Sequence, residues 1–346
     1  MNLLRLVNIL CFLGITLLTQ CTTHVEENTS ATWTYTFPTM GTMGHVSIVL
    51  DSIEDVDTIA IIDAIQAELQ TINQSVNTWD PTSYLSRYNA GDTSLHPFKD
   101  KEYVLMDNIL ASKRFHKVSF GAFNPAVMDL VSFYKERDVH ELLSEEEQFI
   151  VDSIVEAIAR FPFMFENKDD VILPLDFSAI AKGYGVDAIA GALNTFGIEN
   201  YLVEVGGEVV TKGFNTRNTQ WVLGIETPNT SLATDIYAKV SLSNFAMATS
   251  GNYHNYREGA DGSKWVHIID PRDGKNKQTD LLSATIVARD CMTADALATA
   301  SMVLGENDAL NMVEELPNTE ILLILSAPNG QYRTVMSSGF EAFLAE

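Results

Sequence analysis

Residues 293–305 read T-A-D-A-L-A-T-A-S-M-V-L-G, an apolar run that predicts a helix. Asp295 and Thr299 stand four positions apart in this run, so they share one face of the helix. A carboxylate and a hydroxyl are hard oxygen ligands suited to Mg²⁺, which completes its octahedron with water or substrate phosphate. The same spacing also fits an ordinary helix, because a carboxylate is favoured near a helix N-terminus. The pair alone therefore marks a candidate metal site and leaves the structural interpretation open.

The secondary-structure pattern of the rest of the chain mixes helices with short strands. Further helices are predicted at Val56–Val76, from the capping box Ser144–Glu147 to about Arg160, and at Ser178–Phe196, which stops at Gly197. Strands are predicted at 45–50, 201–205, 221–226, 236–242, 266–269, 282–288 and 321–325. This pattern indicates an α+β fold of mostly antiparallel sheets with packed helices. The sequence has no G-x-G-x-x-G between a strand and a helix, which argues against a dinucleotide-binding Rossmann unit.

The first 21 residues carry an export signal. One positive charge at Arg5 precedes an apolar stretch from Leu6 to Leu18, which predicts a signal peptide over residues 1–20. The run L-T-Q-C ending at Cys21 resembles a bacterial lipobox, in which the cysteine becomes the lipidated first residue. Gln20 departs from the usual small residue there, so a plain cleaved signal peptide is the alternative. Residues 21–31 then form a tether, and 32–346 form one large domain or two interleaved subdomains.

Charge and cysteine content exclude some classes of partner and stabilisation. The formal net charge of −24 argues against nucleic acid, which needs a basic surface. An anionic ligand must therefore be met locally by a bound cation, helix-start amides or a few placed basic side chains. Outside the signal and the lipid site, Cys291 is the one cysteine, so no internal disulfide is possible.

Seven short segments are rich in Gly, Asp, Asn and Ser, and each taken singly has the composition of a turn. They are P-T-M-G-T-M-G from Pro38, N-T-W-D-P from Asn77, G-A-F-N-P from Gly121, L-D-F-S-A-I-A-K-G-Y from Leu175, E-V-G-G-E from Glu204, A-T-S-G-N-Y from Ala248 and H-I-I-D-P-R-D-G from His267. Their order and wording, together with the A-D-A-L-A-T helix, resemble the ApbE family of FAD:protein FMN transferases. The resemblance runs from about Thr36 to Gly305.

The resemblance implies an ApbE-like fold and an exported, lipid-anchored bacterial enzyme at the inner membrane, facing the periplasm. Such an enzyme uses Mg²⁺ to cleave FAD, transfers FMN to a threonine or serine hydroxyl of another protein, and releases AMP. The acceptors implied are flavoproteins of membrane redox complexes or exported electron carriers. Two alternatives stay open: an FAD pyrophosphatase that releases FMN and AMP, and a lipoprotein that binds FAD without turnover.

The resemblance also assigns roles to individual positions. Asp295, Thr299 and the backbone carbonyl of Ala179 are implied as metal ligands. The implied FAD contacts are Met40, Trp79, Ala122, Phe123, Asn124, Asp176, Lys182, Thr249, Ser250, Gly251 and Ile268. Family members often carry Asp where this chain has Asn124, which puts an ionic role for that position in doubt.

Activation of the acceptor hydroxyl needs a base or a second charge, since threonine is a poor nucleophile at neutral pH. His267, three residues before Asp270, is the candidate catalytic base or phosphate contact. A strand-end histidine hydrogen-bonded to a turn is the alternative. Glu204 and Glu208 flank the Gly-Gly turn and are interpreted as structural.

Overall fold

The structure is a computed structural model that describes residues 30–51, 56–92, 94–95, 103–136, 143–161, 173–228, 235–251, 256–258, 264–266, 268–275, 280–328 and 330–345. The α-helices in these ranges are α1 (Thr58–Val76), α2 (Tyr84–Asn89), α3 (Val104–Val118), α4 (Met128–Glu136), α5 (Glu145–Ala159), α6 (Ala181–Thr195), α7 (Cys291–Leu304) and α8 (Glu306–Glu314). The strands are β1 (Ala31–Thr39), β2 (Thr42–Leu50), β3 (Tyr201–Val205), β4 (Glu208–Lys212), β5 (Trp221–Glu226), β6 (Ile236–Leu242), β7 (Ala246–Gly251), β8 (Tyr256–Glu258), β9 (Lys264–Val266), β10 (Leu281–Ala288), β11 (Glu320–Ser326) and β12 (Tyr332–Met336).

Eight of the strands form one antiparallel sheet in the order β1-β2-β3-β4-β7-β10-β11-β12. Strand β11 is buried on both faces of this sheet. Ile321 and Leu323 belong to the core that includes α7, whereas Leu322 and Ile324 belong to a core shared with β6. Burial on both faces explains why β11 reads as a continuous apolar run rather than an alternating one. The predicted α+β class with mostly antiparallel sheets is confirmed.

Most of the predicted elements are present with small shifts at their ends. Helix α5 has the predicted capping box, in which Ser144 and Glu147 bond each other's backbone amides. The predicted helix from Ser178 begins three residues later, because 178–180 form a turn. Of the predicted strand 266–269, Val266 ends β9, and Ile268 and Ile269 lie beyond that strand.

The N-terminal predictions fall almost wholly outside the described part of the chain. Residues 1–29, which include the signal peptide and Cys21, lie outside it, and Ala31 already begins β1. No helix in the described residues is long and apolar enough to span a membrane. Export, lipidation and the subdomain division remain predictions.

Helices α6 and α7 pack against each other and also cover the sheet. Asp187 of α6 accepts the amide hydrogens of Cys291 and Met292 at 2.9 and 2.8 Å, so it caps the first turn of α7. Asp290, the N-cap residue of α7, accepts the Thr293 amide at 2.8 Å. Two carboxylates thus fix the start of the helix that carries Asp295.

We expect the Asp187→Ala variant to lose more stability than Asp290→Ala. The first change leaves two part-buried amides without their acceptor and should cost about 2 kcal/mol, whereas loss of Asp290 frees one amide and should cost about 1 kcal/mol. Urea unfolding on the acidic side of neutral measures both values. Equal costs would contradict the role of Asp187 as an inter-helix cap.

The contribution of Asp187 to stability should depend on pH. Burial raises the pKa of Asp187 from 3.8 to about 7, although its two backbone hydrogen bonds oppose the shift. A folded-state pKa above the unfolded value means that stability contributed by this carboxyl falls as pH rises from 3.8 to about 7. The difference in unfolding free energy between the native protein and Asp187→Ala should therefore narrow over that interval.

Candidate active site

A tight turn between β1 and β2 places Met40 against helix α6. Met40 and Gly41 both have positive φ, 46° and 73°, as the two central residues of a type I′ hairpin turn require. A methionine in this conformation is uncommon and indicates that the position is held for its side chain. The Met40 methyl lies over Gly185, where an added Cβ would come within 2.7 Å of it.

The E-V-G-G-E segment forms the turn between β3 and β4 and lies beside the first turn. The Gly206 amide donates to the Met43 carbonyl at 3.2 Å, and the Gly207 amide donates to Glu204 Oε1 at 2.7 Å. A Cβ on Gly206 would lie 3.5 Å from Cδ of Lys182, so this turn covers the stem of that lysine. The two glycine turns and the start of α6 therefore meet at one place.

A buried cluster of charges lies at this meeting point. Lys182 Nζ lies 2.7 Å from Glu208 Oε1 and 3.8 Å from Asp295 Oδ1. Glu208 and Asp295 are only 4% and 2% exposed. The other oxygen of Asp295 accepts the Gly183 amide at 3.0 Å, which joins α7 to the first turn of α6. The implied FAD contact Lys182 and the implied metal ligand Asp295 are thus neighbours.

Two acidic side chains and one basic side chain make up the cluster. Burial would lower the pKa of Lys182, but the Asp295 and Glu208 carboxylates outweigh burial and raise it. Burial raises the pKa of Asp295 against the effects of Lys182 and the Gly183 amide. Burial and the Asp295 charge likewise raise the pKa of Glu208, and Lys182 opposes them. Two buried carboxylates around one ammonium favour uptake of a further cation.

The oxygen atoms around Asp295 fit the Mg²⁺ that the sequence implies. Thr299, one turn along α7, has its hydroxyl 3.1 Å from that of Ser250 on β7. The Gly183 amide donates to Asp295 rather than to the Ala179 carbonyl, its usual acceptor in a helix. The described residues contain no group of three or more His, Cys, Asp or Glu side chains that could hold a metal. One carboxylate, one hydroxyl and one carbonyl are the few protein ligands that Mg²⁺ commonly accepts.

The side chains of Thr249 and Ser250 lie on opposite faces of β7, because successive residues of a strand alternate. Ser250 faces α7, whereas the Thr249 hydroxyl is 2.8 Å from the buried Thr285 of β10. Gly251 is exposed at the end of the strand. The structure therefore brings Ser250 to the implied metal ligand Thr299, whereas the Thr249 side chain pairs with Thr285.

The G-A-F-N-P and L-D-F-S segments are joined by backbone contacts. The Asp176 amide donates to the Pro125 carbonyl at 2.7 Å, and the Asn124 side chain accepts the Ala126 amide. Asp176 Oδ1 accepts both the amide and the hydroxyl of Ser178, which fixes the turn before α6. The Phe123 side chain is 3% exposed and packs on Phe115, and Ala122 is also buried. A flat ring of FAD would therefore contact the backbone of this segment rather than the Phe123 side chain.

The structure gives no contact between the remaining predicted positions and the Lys182, Glu208 and Asp295 cluster among the residues it describes. Trp79 is 82% exposed, with the Lys135 ammonium 5.2 Å from its ring centre. Ile268 is partly buried against the main core. His267 lies outside the described residues. Asp270 is buried and accepts the guanidinium of Arg272 at 2.8 Å, so Arg272 is a partner of its own turn.

The chain is similar to known proteins over most of its length. Residues 40–323 match the ApbE family. The chain belongs to the ApbE family. An FAD:protein FMN transferase of Haemophilus influenzae is 33% identical over 88% of this chain and 89% of its own length. One from Vibrio cholerae is 32% identical, over 89% of this chain and 92% of its own length.

Solved ApbE structures share the fold. The flavin transferase ApbE from Vibrio cholerae superposes with a TM-score of 0.77 at 30% identity, covering 91% of this chain and 100% of that one. The apo form of the Pseudomonas stutzeri flavinyl transferase ApbE gives 0.75 at 25% identity, over 92% and 98% of the two chains. The predicted family is confirmed, and with it the enzyme class, a transferase.

Glu208 is the residue of this ApbE site that the sequence interpretation missed. The interpretation took it as a structural flank of the Gly-Gly turn, whereas it is buried against Lys182. The position of Glu208 after two glycines does not indicate that its side chain is buried. Its partner, Lys182, is 26 positions away in the chain. An unexplained acid beside a motif that carries function is the one signal that could have indicated it.

Proposed function

We propose that this chain is a Mg²⁺-dependent FAD:protein FMN transferase that uses a threonine or serine hydroxyl as acceptor and releases AMP. The observation that carries the proposal is the buried Lys182, Glu208 and Asp295 cluster beside Ser250 and Thr299. This arrangement concentrates an ammonium, hydroxyls and an unbalanced carboxylate at one point of a strongly acidic protein. A pyrophosphate can accept hydrogen bonds from the ammonium and the hydroxyls, and its bound cation can contact the carboxylate.

The reaction is a substitution at the phosphorus of the FMN half of FAD. The acceptor hydroxyl oxygen forms the new phosphorus–oxygen bond, its proton leaves to a base, and the bond to the AMP oxygen breaks. Asp295, Thr299 and the Ala179 carbonyl would hold Mg²⁺, which would neutralise charge that develops on the phosphate oxygens. The Lys182 ammonium and the Ser250 hydroxyl would bind and orient the pyrophosphate. His267 is the proposed base.

The place of action is proposed from the first 21 residues. Their charge, apolar stretch and cysteine support export and lipid attachment at Cys21 to the inner membrane, with the enzyme facing the periplasm of a bacterial cell. Acceptors at that location would be flavoproteins of membrane redox complexes or exported electron carriers.

A transfer assay tests the proposal directly. The protein is incubated with FAD, Mg²⁺ and an acceptor flavoprotein whose flavin-bearing threonine is intact or changed to alanine. We expect an FMN-sized mass increase on the intact acceptor only, with one AMP released for each modified acceptor. AMP and free FMN produced equally with both acceptors would instead indicate a pyrophosphatase, and absence of AMP would indicate a binding protein.

A further inference from the structure

Glu208 lies where it controls the direction of the Lys182 side chain. It is the first residue of β4, and its Oε1 accepts the Lys182 ammonium at 2.7 Å. Its second oxygen, Oε2, is buried and has no hydrogen-bond partner among the described residues. Both facts point to a carboxylate kept in the interior for its contact with Lys182, since burial of an unpaired carboxylate oxygen is costly.

Lys182 stands between two carboxylates that compete for it. The ammonium is in hydrogen-bond contact with Glu208, whereas its 3.8 Å distance from Asp295 Oδ1 is too long for a hydrogen bond. Its stem is flexible enough to close that gap of about 1 Å by rotation. An ammonium bonded to Asp295 would occupy the oxygen that the cation needs.

We propose that Glu208 is a positioning residue that holds the Lys182 ammonium away from Asp295 and so leaves Asp295 Oδ1 open to the metal ion. The inference rests on the proposed function, because it assumes that Asp295 binds the cation. Lys182 then serves the anionic substrate without blocking the metal ligand beside it.

Another acid of the same turn provides a matched comparison. Glu204 lies four residues before Glu208, but its carboxylate accepts the Gly207 amide rather than Lys182. Replacement of Glu204 by glutamine removes the same unit charge from the same turn and keeps an oxygen for that amide. If the acids of the turn act only through their charge, both replacements should lower metal affinity by similar amounts. If Glu208 positions Lys182, only the replacement of Glu208 should lower it.

The test measures metal binding without turnover. Mn²⁺ replaces Mg²⁺ because it accepts the same oxygen ligands and its free form gives an electron paramagnetic resonance signal. In the FAD-free protein we expect Asp295→Asn to abolish site binding and Glu204→Gln to leave it unchanged. Glu208→Gln should weaken it about tenfold or more, because a neutral amide oxygen holds the Lys182 ammonium less strongly than a carboxylate does and leaves it to compete for Asp295. Glu208→Asp keeps the charge but shortens the reach, so it should also weaken binding.

A double variant decides whether Glu208 acts through Lys182. With Lys182→Met added to Glu208→Gln the competing ammonium is gone, so Mn²⁺ affinity should recover. Failure to recover, or native affinity in Glu208→Asp, would overturn the inference and leave the metal site intact. Native affinity in Asp295→Asn would instead overturn the metal assignment and the inference with it. Far-ultraviolet circular dichroism checks the fold of each variant, and Glu208→Asp carries the test if Glu208→Gln does not fold.

Discussion

Asp295→Asn should lose Mg²⁺-dependent FAD cleavage by at least about a hundredfold while the protein stays folded, because the amide is a poor ligand for a hard cation. Asparagine keeps the shape and an oxygen that can accept the Gly183 amide, now bonded at 3.0 Å. Lys182 keeps Glu208 as its partner at 2.7 Å, so the change removes the unbalanced charge of the cluster. We therefore expect the metal-free variant to unfold at the same or a higher temperature.

AMP release and thermal unfolding of the metal-free protein measure the two sides of this prediction. Asp290→Asn is the matched control, since it removes one charge from the same helix and asparagine is an equally good N-cap. Its turnover should equal that of the native protein. Unchanged turnover in Asp295→Asn would rule out Asp295 as the metal ligand. Loss of turnover together with a lower unfolding temperature would make its role structural.

Gly183→Ala is expected to lower the unfolding free energy by about 2–3 kcal/mol and to remove most of the activity. An added Cβ would lie 2.5 Å from the Cys291 carbonyl oxygen and 2.8 Å from Cα of Met292. These atoms belong to the backbone of α7 and cannot rotate aside, so α6 and α7 must separate. Separation would also stretch the hydrogen bond between the Gly183 amide and Asp295.

Gly191→Ala is the control on the same helix. A Cβ there would meet no atom within 4 Å, so alanine should stabilise the protein by about 0.5–1 kcal/mol through its better helix propensity. Urea unfolding should show a lower unfolding free energy for Gly183→Ala and a higher one for Gly191→Ala. Similar stabilities would contradict the close approach of α6 to α7 at Gly183.

Local patterns predicted the elements whose burial follows a simple period. The apolar spacing of α1, the capping box of α5 and the apolar run of β11 each encode their own conformation, and each is found. Strands β4 and β7 were missed because they read as parts of the Gly-Gly and A-T-S-G motifs. A strand next to a functional turn has a composition set partly by that turn.

The candidate site was predictable in its members but not in its arrangement. The four-residue spacing placed Asp295 and Thr299 on one face of a helix, and α7 agrees. Thr249 and Ser250 point to opposite faces because successive residues of a strand alternate, but this could be predicted only if β7 were known to be a strand. The pairing of Lys182 with Glu208 depends on how α6 packs on the sheet, which no local pattern contains.

The hydrogen bond from the Gly183 amide to Asp295 has a consequence for binding entropy. One oxygen of the carboxylate is held before any cation arrives, so the rotamer of this ligand is selected by folding. A cation that binds to the other oxygen need not order a free side chain, which otherwise costs about 0.5–1.5 kcal/mol. The protein therefore presents a preorganised carboxylate, and the ordering cost of the proposed metal site belongs to the folding of the α6–α7 pair.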